Sequence, residues 1–235
     1  MPTGRKFFAI MVISMNDAIR PVFRTKTEAQ ASYDRLSRWY DLLSGSSEVR
    51  PRQAGLELLQ ALPGEHVLDI GPGTGHSLAT LAHAVSKTGC VQALDLSPGM
   101  LAVSRARLAK TSGEAAVCLT CGDALYLPYP AGAFDAIFSS FNLELFDTPE
   151  IPQVLEECRR VLRPGGRMCV VSLSKESKSR AMIKLYEWSH DRFPAFVDCR
   201  PIYVQPSLAL ARFHIQAVKC MSMWGLPVEI VLAQK

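Results

Sequence analysis

The 235-residue chain has no apolar run long enough to cross a bilayer, no internal repeat and no low-complexity linker. The first absence excludes an integral membrane segment. The others, with this length and 48% hydrophobic residues, leave one domain of generous size as the natural organisation. Concentrated charge is missing too. The net charge is only +4, and the basic residues are scattered through Arg35, Arg38, Arg105, Arg107, Arg159, Arg160 and Arg163. A nucleic-acid protein gathers such charge into a patch, so that partner is not expected. Metal-finger spacing is also lacking, because the one C-x-x-C, Cys118 to Cys121, has no second pair and no histidine at finger spacing behind it. Seven cysteines is an odd number, and Cys90, Cys118, Cys169 and Cys220 lie in apolar runs. These predict buried free thiols, with Cys118 and Cys121 in strand core, in a reducing, cytoplasmic setting.

What is present begins weakly. Arg5-Lys6 followed by Phe7 to Ser14 has a faint signal-peptide look without a cleavage site, and a start at Met11 or Met15 fits as well. Residues 1–27 are therefore expected to be an N-terminal extension, poorly ordered or peripherally packed, and 28–235 a single domain. Tyr33, Leu36, Tyr40 and Leu43 form one stripe of a helix from Glu28 to about Leu43 that Ser44-Gly45-Ser46-Ser47 ends. A second helix is expected over Arg52–Leu62, stopped by Pro63-Gly64.

The informative stretch is Val67 to Ser77, V-L-D-I-G-P-G-T-G-H-S. A short apolar strand leads into glycines at 71, 73 and 75, and a helical pattern follows with Leu78, Leu81 and Val85 on one face. Strand, glycine turn and helix place a nucleotide-like ligand at the carboxyl end of a sheet. The spacing is G-x-G-x-G with Asp69 two residues ahead, whereas a dinucleotide loop prefers G-x-G-x-x-G. His76-Ser77 is not the Lys-Ser or Lys-Thr pair that a P-loop requires. Taken alone, the segment also fits a glycine-rich turn of another α/β fold.

A second strand, Cys90 to Leu96, carries Asp95 about 24 residues after Gly71, near the spacing at which an acid meets a ribose. Its carboxylate can accept from both ribose hydroxyls, or it can be a solvated strand-end acid. Ser97 and Pro98 suit the N-cap and first position of the next helix. Further strands are expected over Ala116–Cys121, Phe134–Phe141, Arg167–Leu173, Phe213–Met221 and Pro227–Ala233, and helices over Pro149–Val161, Ser177–Phe193 and Ser207–Ala211. His190-Asp191 reads as a surface pair and Asp135 as a strand-start residue.

Four words stand in order: D-x-G-x-G-x-G from Asp69, D-x-S-x-x-M-L from Asp95, G-D-A-x-x-L-P from Gly122 and L-R-P-G-G-R from Leu162. With Tyr33-Asp34 and Tyr40-Asp41 ahead of them, the chain from Tyr33 onward resembles the class I S-adenosylmethionine-dependent methyltransferases, in particular the ubiquinone/menaquinone biosynthesis group with its type 11 methyltransferase domain. The resemblance implies an α/β, Rossmann-like fold: a seven-stranded, mostly parallel sheet with an antiparallel last strand and helices on both faces. It implies S-adenosylmethionine as cofactor, held by Tyr33, Asp69, Gly71, Gly73, Gly75, Asp95, Leu96, Met100, Asp123, Ala124 and Ser139. In the group the residue after the ribose acid and the Met flank adenine; here these are Leu96 and Met100. Asp123 would accept from the adenine amino group, and the Ala124 N–H would meet a ring nitrogen.

The reacting side is expected after the fourth strand, in S-S-F-N-L-E-L-F from Ser139 to Phe146, with Asn142 and Glu144 as the polar candidates. Glu144 is either a general base or an exposed loop residue. The N-P-P-Y type of word is absent; the S-S-F-N-L-E-L form resembles instead the small-molecule branch, and the resemblance of the N-terminal helix to the quinone-synthesis group implies a phenolic or quinol ring carbon or oxygen as acceptor. Phospholipid head groups and other metabolites also fit. A nicotinamide-dependent oxidoreductase and a non-catalytic binding partner are the alternatives of other classes. No metal site is expected.

Overall fold

A computed structural model describes residues 25–37, 45–111, 115–176 and 199–235. Tyr40, Leu43, the helix expected over Ser177–Phe193 and the His190-Asp191 pair lie outside the described residues, as do residues 1–24. In chain order the elements are α1 Lys26–Leu36, α2 Gly45–Leu59, β1 His66–Ile70, α3 His76–Val85, β2 Cys90–Asp95, α4 Pro98–Leu108 and β3 Ala116–Cys121. β4 Phe134–Ser140, α5 Ile151–Val161, β5 Leu162–Leu173, α6 Val204–Leu210, β6 His214–Met223 and β7 Leu226–Gln234 follow.

The seven strands form one sheet in the order β3-β2-β1-β4-β5-β7-β6. Neighbours from β3 through β5 pair in parallel, and β7 is antiparallel to both β5 and β6. This is the expected sheet. The chain leaves β1 toward β2 and β3, then returns to lay β4 on the other side of β1. The crevice at that reversal, between the carboxyl ends of β1 and β4, is where open α/β sheets bind ligands.

The central strands are apolar on both faces because helices cover both. Leu68, Ile137, Met168, Val170 and Val231 face one layer with α5 and α6. Val67, Ala136, Phe138, Cys169 and Val171 face the other with α2 and α3. Residue parity within each strand thus assigns each side chain to a layer. Among the described residues, no helix is long and apolar enough to cross a membrane.

Several boundaries differ from expectation. α2 begins at Gly45 and runs through Pro51, so Gly45-Ser46-Ser47 opens a helix rather than closing one. Proline removes an intrahelical donor, which is why the pattern reads as helical only from Arg52. The L-R-P-G-G-R word is a four-residue bulge inside β5: Phe134 pairs with Leu162 and Ala136 with Arg167. The cysteines need the largest correction. Cys158 and Cys169 are buried, Cys90 is half-buried, and Cys118, Cys121 and Cys220 are exposed. β3 and β6 are the two edge strands, and an edge strand lacks the neighbour that would cover it. As i and i+3 of one strand, Cys118 and Cys121 also point to opposite faces.

α1 starts in a reciprocal cap, with Thr25 and Glu28 each bonding the other's backbone N–H. It is fixed to the start of α4 by Asp34, whose Oδ1 accepts from the Ser97 hydroxyl and from the Gly99 N–H at 2.9 Å. This puts the neighbouring Tyr33 over the carboxyl ends of the strands.

Candidate active site

A cavity of about 360 Å³ opens at the β1/β4 crevice, within the usual size range of small-molecule sites. Its floor is the glycine loop after β1. Gly71 has φ +68° and a Cβ there would lie 2.2 Å from Asn142 Nδ2, so the loops after β1 and β4 touch only because residue 71 has no side chain. Gly73, at φ +56°, has nothing within 4 Å of the position a Cβ would take and lines the cavity with bare backbone. Gly75 is placed differently from expectation. It does not line the cavity, and a Cβ on it would meet Ser104 Oγ at 2.7 Å. It serves the contact between α3 and α4. α4 in turn braces the loop, with Ser104 Oγ donating to Gly73 O and Arg107 Nε to Thr74 O, both at 2.8 Å.

Three acids follow three adjacent strands. Asp69, near the end of β1, is 1% exposed and accepts from the Ser77 hydroxyl. Asp95, at the end of β2, accepts from the Gly73 N–H at 3.2 Å through Oδ2 and from the Ser97 N–H at 2.9 Å through Oδ1. Asp123, after β3, accepts from the Leu125 N–H at 3.0 Å and starts a short 3-10 turn beginning at Ala124. All three line the one cavity, as do Tyr33, Leu96, Met100, Ala124 and Asn142.

Ser139 and Glu144 do not line it. Ser140 does instead. Ser139 pairs with Ile70 and Val170 inside the sheet, and adjacent strand residues face opposite ways. Glu144 is fully buried, neither an exposed loop residue nor on the cavity wall, and its Oε1 accepts from the Leu173 N–H at 3.2 Å. It ties the turn after β4 to the end of β5. Sequence reasoning missed Glu48 and Arg52 on α2, and Phe146, Asp147 and Glu150 beyond β4, all of which line the cavity. Arg200, 2% exposed, donates to Phe146 O and to Thr148 Oγ1 and so fixes that last wall.

Two polar atoms on the wall carry the test of fit. Asn142 Oδ1 and Ser140 Oγ are buried without a hydrogen-bond partner among the described residues, and both residues line the cavity. Buried polar atoms are normally satisfied, so a ligand with polar groups completes the site. A nucleoside carrying an amino-acid arm has such groups, and the acids at the ends of β2 and β3 suit its hydroxyls and base edge.

Burial dominates the electrostatics. It pushes Asp69 up to about 7, against the lowering effects of Ser77 and the Arg52 charge. It pushes Asp95 up to about 6, and Glu144 up to about 7. Their unperturbed values are 3.8 for Asp and 4.5 for Glu. Between these and neutrality the folded chain keeps protons that the unfolded chain has released, so stability falls as pH rises through that window. The melting temperature of the ligand-free protein should therefore drop from about pH 5.5 to about pH 7.5, and Asp69→Asn should flatten the slope. A melting temperature that does not fall over the same interval would show these acids to be ionised throughout.

Residues 67–166 match the methyltransferase domain family. The chain is 31% identical over 172 residues to the ubiquinone/menaquinone biosynthesis C-methyltransferase UbiE of Teredinibacter turnerae, covering 73% of this chain and 67% of that protein. It is 37% identical over 113 residues to the demethylmenaquinone methyltransferase of Symbiobacterium thermophilum, covering 48% of this chain and 44% of that protein. The match thus spans less than half of one of these curated relatives and two thirds of the other. Among solved structures, an S-adenosylmethionine-dependent methyltransferase from Aquifex aeolicus superposes with a TM-score of 0.63 at 22% identity, over 86% of this chain and 97% of that one. The [4+2]-cyclase SpnF superposes with a TM-score of 0.71 at 20% identity, over 92% and 97%. Such identities speak for the fold alone, and a cyclase on this fold shows that chemistry must be argued from the site.

Proposed function

Because the chain belongs to the class I S-adenosylmethionine-dependent methyltransferase family, we propose that it transfers a methyl group to a ring carbon of a small phenolic or quinol acceptor. The observation that carries the reading is the single cavity shared by Asp69, Asp95, Asp123 and the bare backbone of Gly71 and Gly73. The names of the relatives, C-methyltransferases of quinone biosynthesis among them, favour carbon over oxygen or nitrogen.

When bound, S-adenosylmethionine supplies a methyl already activated on a sulfonium, so the chain's work is to bind and to align. Asp123 and the Ala124 N–H read the adenine edge, Leu96 and Met100 cover its faces, and Asp95 accepts from the ribose hydroxyls. Ser140 and Asn142 stand at the β4 side of the cavity, with Phe141 and Phe146 beside them as apolar surface for a flat ring. Alignment of acceptor and methyl in such a pocket is worth up to roughly 7–11 kcal/mol of barrier. With Glu144 withdrawn into the core, Asp147 and Glu150 are the carboxylates on that wall placed to take the acceptor's proton.

The test is incubation with methyl-labelled cofactor and a short-chain quinol, followed by mass spectrometry of the product. Label on a ring carbon is the expected result. Label on oxygen would correct the acceptor atom. Label on a phospholipid or another metabolite from an added extract, with the quinol untouched, would replace the acceptor class.

A further inference from the structure

We infer that Arg200 is a positioning residue for the acceptor: it sets the wall that carries Asp147, and leaves the half of the cavity between β2 and β3 untouched. The inference rests on the acceptor reading above and deepens it. The wall is the loop from Phe146 to Glu150, between the 3-10 turn after β4 and α5. Within it Asp147 Oδ1 accepts from the Thr148 N–H at 2.8 Å, and Glu150 Oε2 accepts from the Asp147 N–H at 3.1 Å. Those two bonds give the loop its own shape. They do not say where it stands against the sheet. Arg200 does, because its Nη1 donates to Thr148 Oγ1 at 2.8 Å and its Nη2 to Phe146 O. One contact falls on each side of Asp147.

The backbone behind the guanidinium is tied to the sheet. The Ile202 N–H donates to Leu173 O at 3.1 Å and the Lys175 N–H to Ile202 O at 2.9 Å. Ile202 also forms a parallel bridge with Ser174. The chain beside Arg200 is thus joined to the end of β5, and the planar fork of the side chain carries that position to the loop. A lysine ammonium on a flexible stem does not. The arginine is 2% exposed, an expensive place for a cation that only fills space. Burial lowers its ordinary value to about 10, and the charges of Asp147, Glu144 and Glu150 oppose that fall. Of those three acids, Asp147 and Glu150 line the cavity. Asp95 and Asp123 follow β2 and β3, on the other side of β1 from β4 and β5. The wall can therefore shift while the adenosine end stays in place. Methyl transfer needs acceptor, methyl and sulfur in line, and a misplacement of about 1 Å costs on the order of 100-fold.

Calorimetry with S-adenosylhomocysteine on the full chain counts the folded sites, and label transfer to the short-chain quinol is expressed per site. Arg200→Lys should bind S-adenosylhomocysteine within about twofold of wild type, while its kcat/KM for the acceptor falls about ten- to hundredfold. Thr148→Val should fall by a smaller factor in the same parameter, and the double variant no further than Arg200→Lys. Fewer sites with an unchanged rate per site would make Arg200 purely structural and overturn the assignment. So would equal losses in cofactor affinity and transfer. If Arg200→Lys does not fold, an unchanged rate per site in Thr148→Val overturns it as well. Should wild type label a compound of a metabolite extract and not the quinol, the proposed acceptor class fails by itself. A per-site loss on that compound then still supports Arg200, and an unchanged rate rejects it. A wild type that labels nothing overturns both.

Discussion

Asp95→Ala is expected to weaken S-adenosylmethionine binding by about 100-fold or more in calorimetry, as two hydrogen bonds to a charged group are lost at roughly 1.5–3 kcal/mol each. The carboxylate does two things at once. Its oxygens accept from the Gly73 and Ser97 N–H groups, and in the proposed binding mode their remaining lone pairs are offered to the ribose. Removing it therefore loosens the glycine loop as well as the ligand. Asp95→Asn is not a gentle substitute. Both oxygens face backbone donors, so an amide must turn its NH₂ against one of them. The asparagine variant should fall close to alanine, and an affinity near wild type for either would remove Asp95 from the ribose.

The second large effect belongs to Gly71→Ala. The new methyl would sit 2.2 Å from Asn142 Nδ2 and 2.5 Å from its Cγ, where no relaxation of a side-chain tip suffices. The φ of +68° adds about 1–2 kcal/mol for a residue with a Cβ. Displacing Asn142 pushes apart the loops after β1 and β4, so cofactor binding should disappear from calorimetry and the melting temperature should fall by roughly 5–10 °C. Gly73→Ala is the control. Its Cβ enters open space and only the strain of φ +56° remains, so it should lower the melting temperature by a few degrees at most while still impairing the ligand. If Gly71→Ala bound cofactor as wild type does, the contact between the two loops would not matter to the site.

Much of this site was legible because local chemistry enforces it. The glycines announce a turn at positive φ, Ser97-Pro98 announces a helix start, and Asp95 announces a polar strand end. β3 runs over Ala116–Cys121 as the sequence pattern predicts. What could not be read depends on which strands become neighbours. Cys118 and Cys220 lie in apolar runs like that of Cys169, yet only the strand order exposes them. Ser139 and Ser140 differ by one residue, and that residue exchanges sheet for cavity. Glu144 is a carboxylate whose burial no periodicity signals. Arg52 stands at the apparent start of a helix, and only the packing of α2 on β4 and β5 brings it to the cavity wall. Its place directly after Pro51 disguised the true helix start, which is Gly45.

β7, the last of the described strands along the chain, lies between β5 and β6. During synthesis the β5 edge therefore waits, and β6 has no partner to dock on until residues 226–234 leave the ribosome. A nascent chain stalled before that point would carry a bare strand of 12 residues, Leu162–Leu173, beside a loose ribbon of 10 residues, His214–Met223. Such unpaired edges invite association between chains, so chaperone dependence of this protein should be set in the interval before β7 emerges.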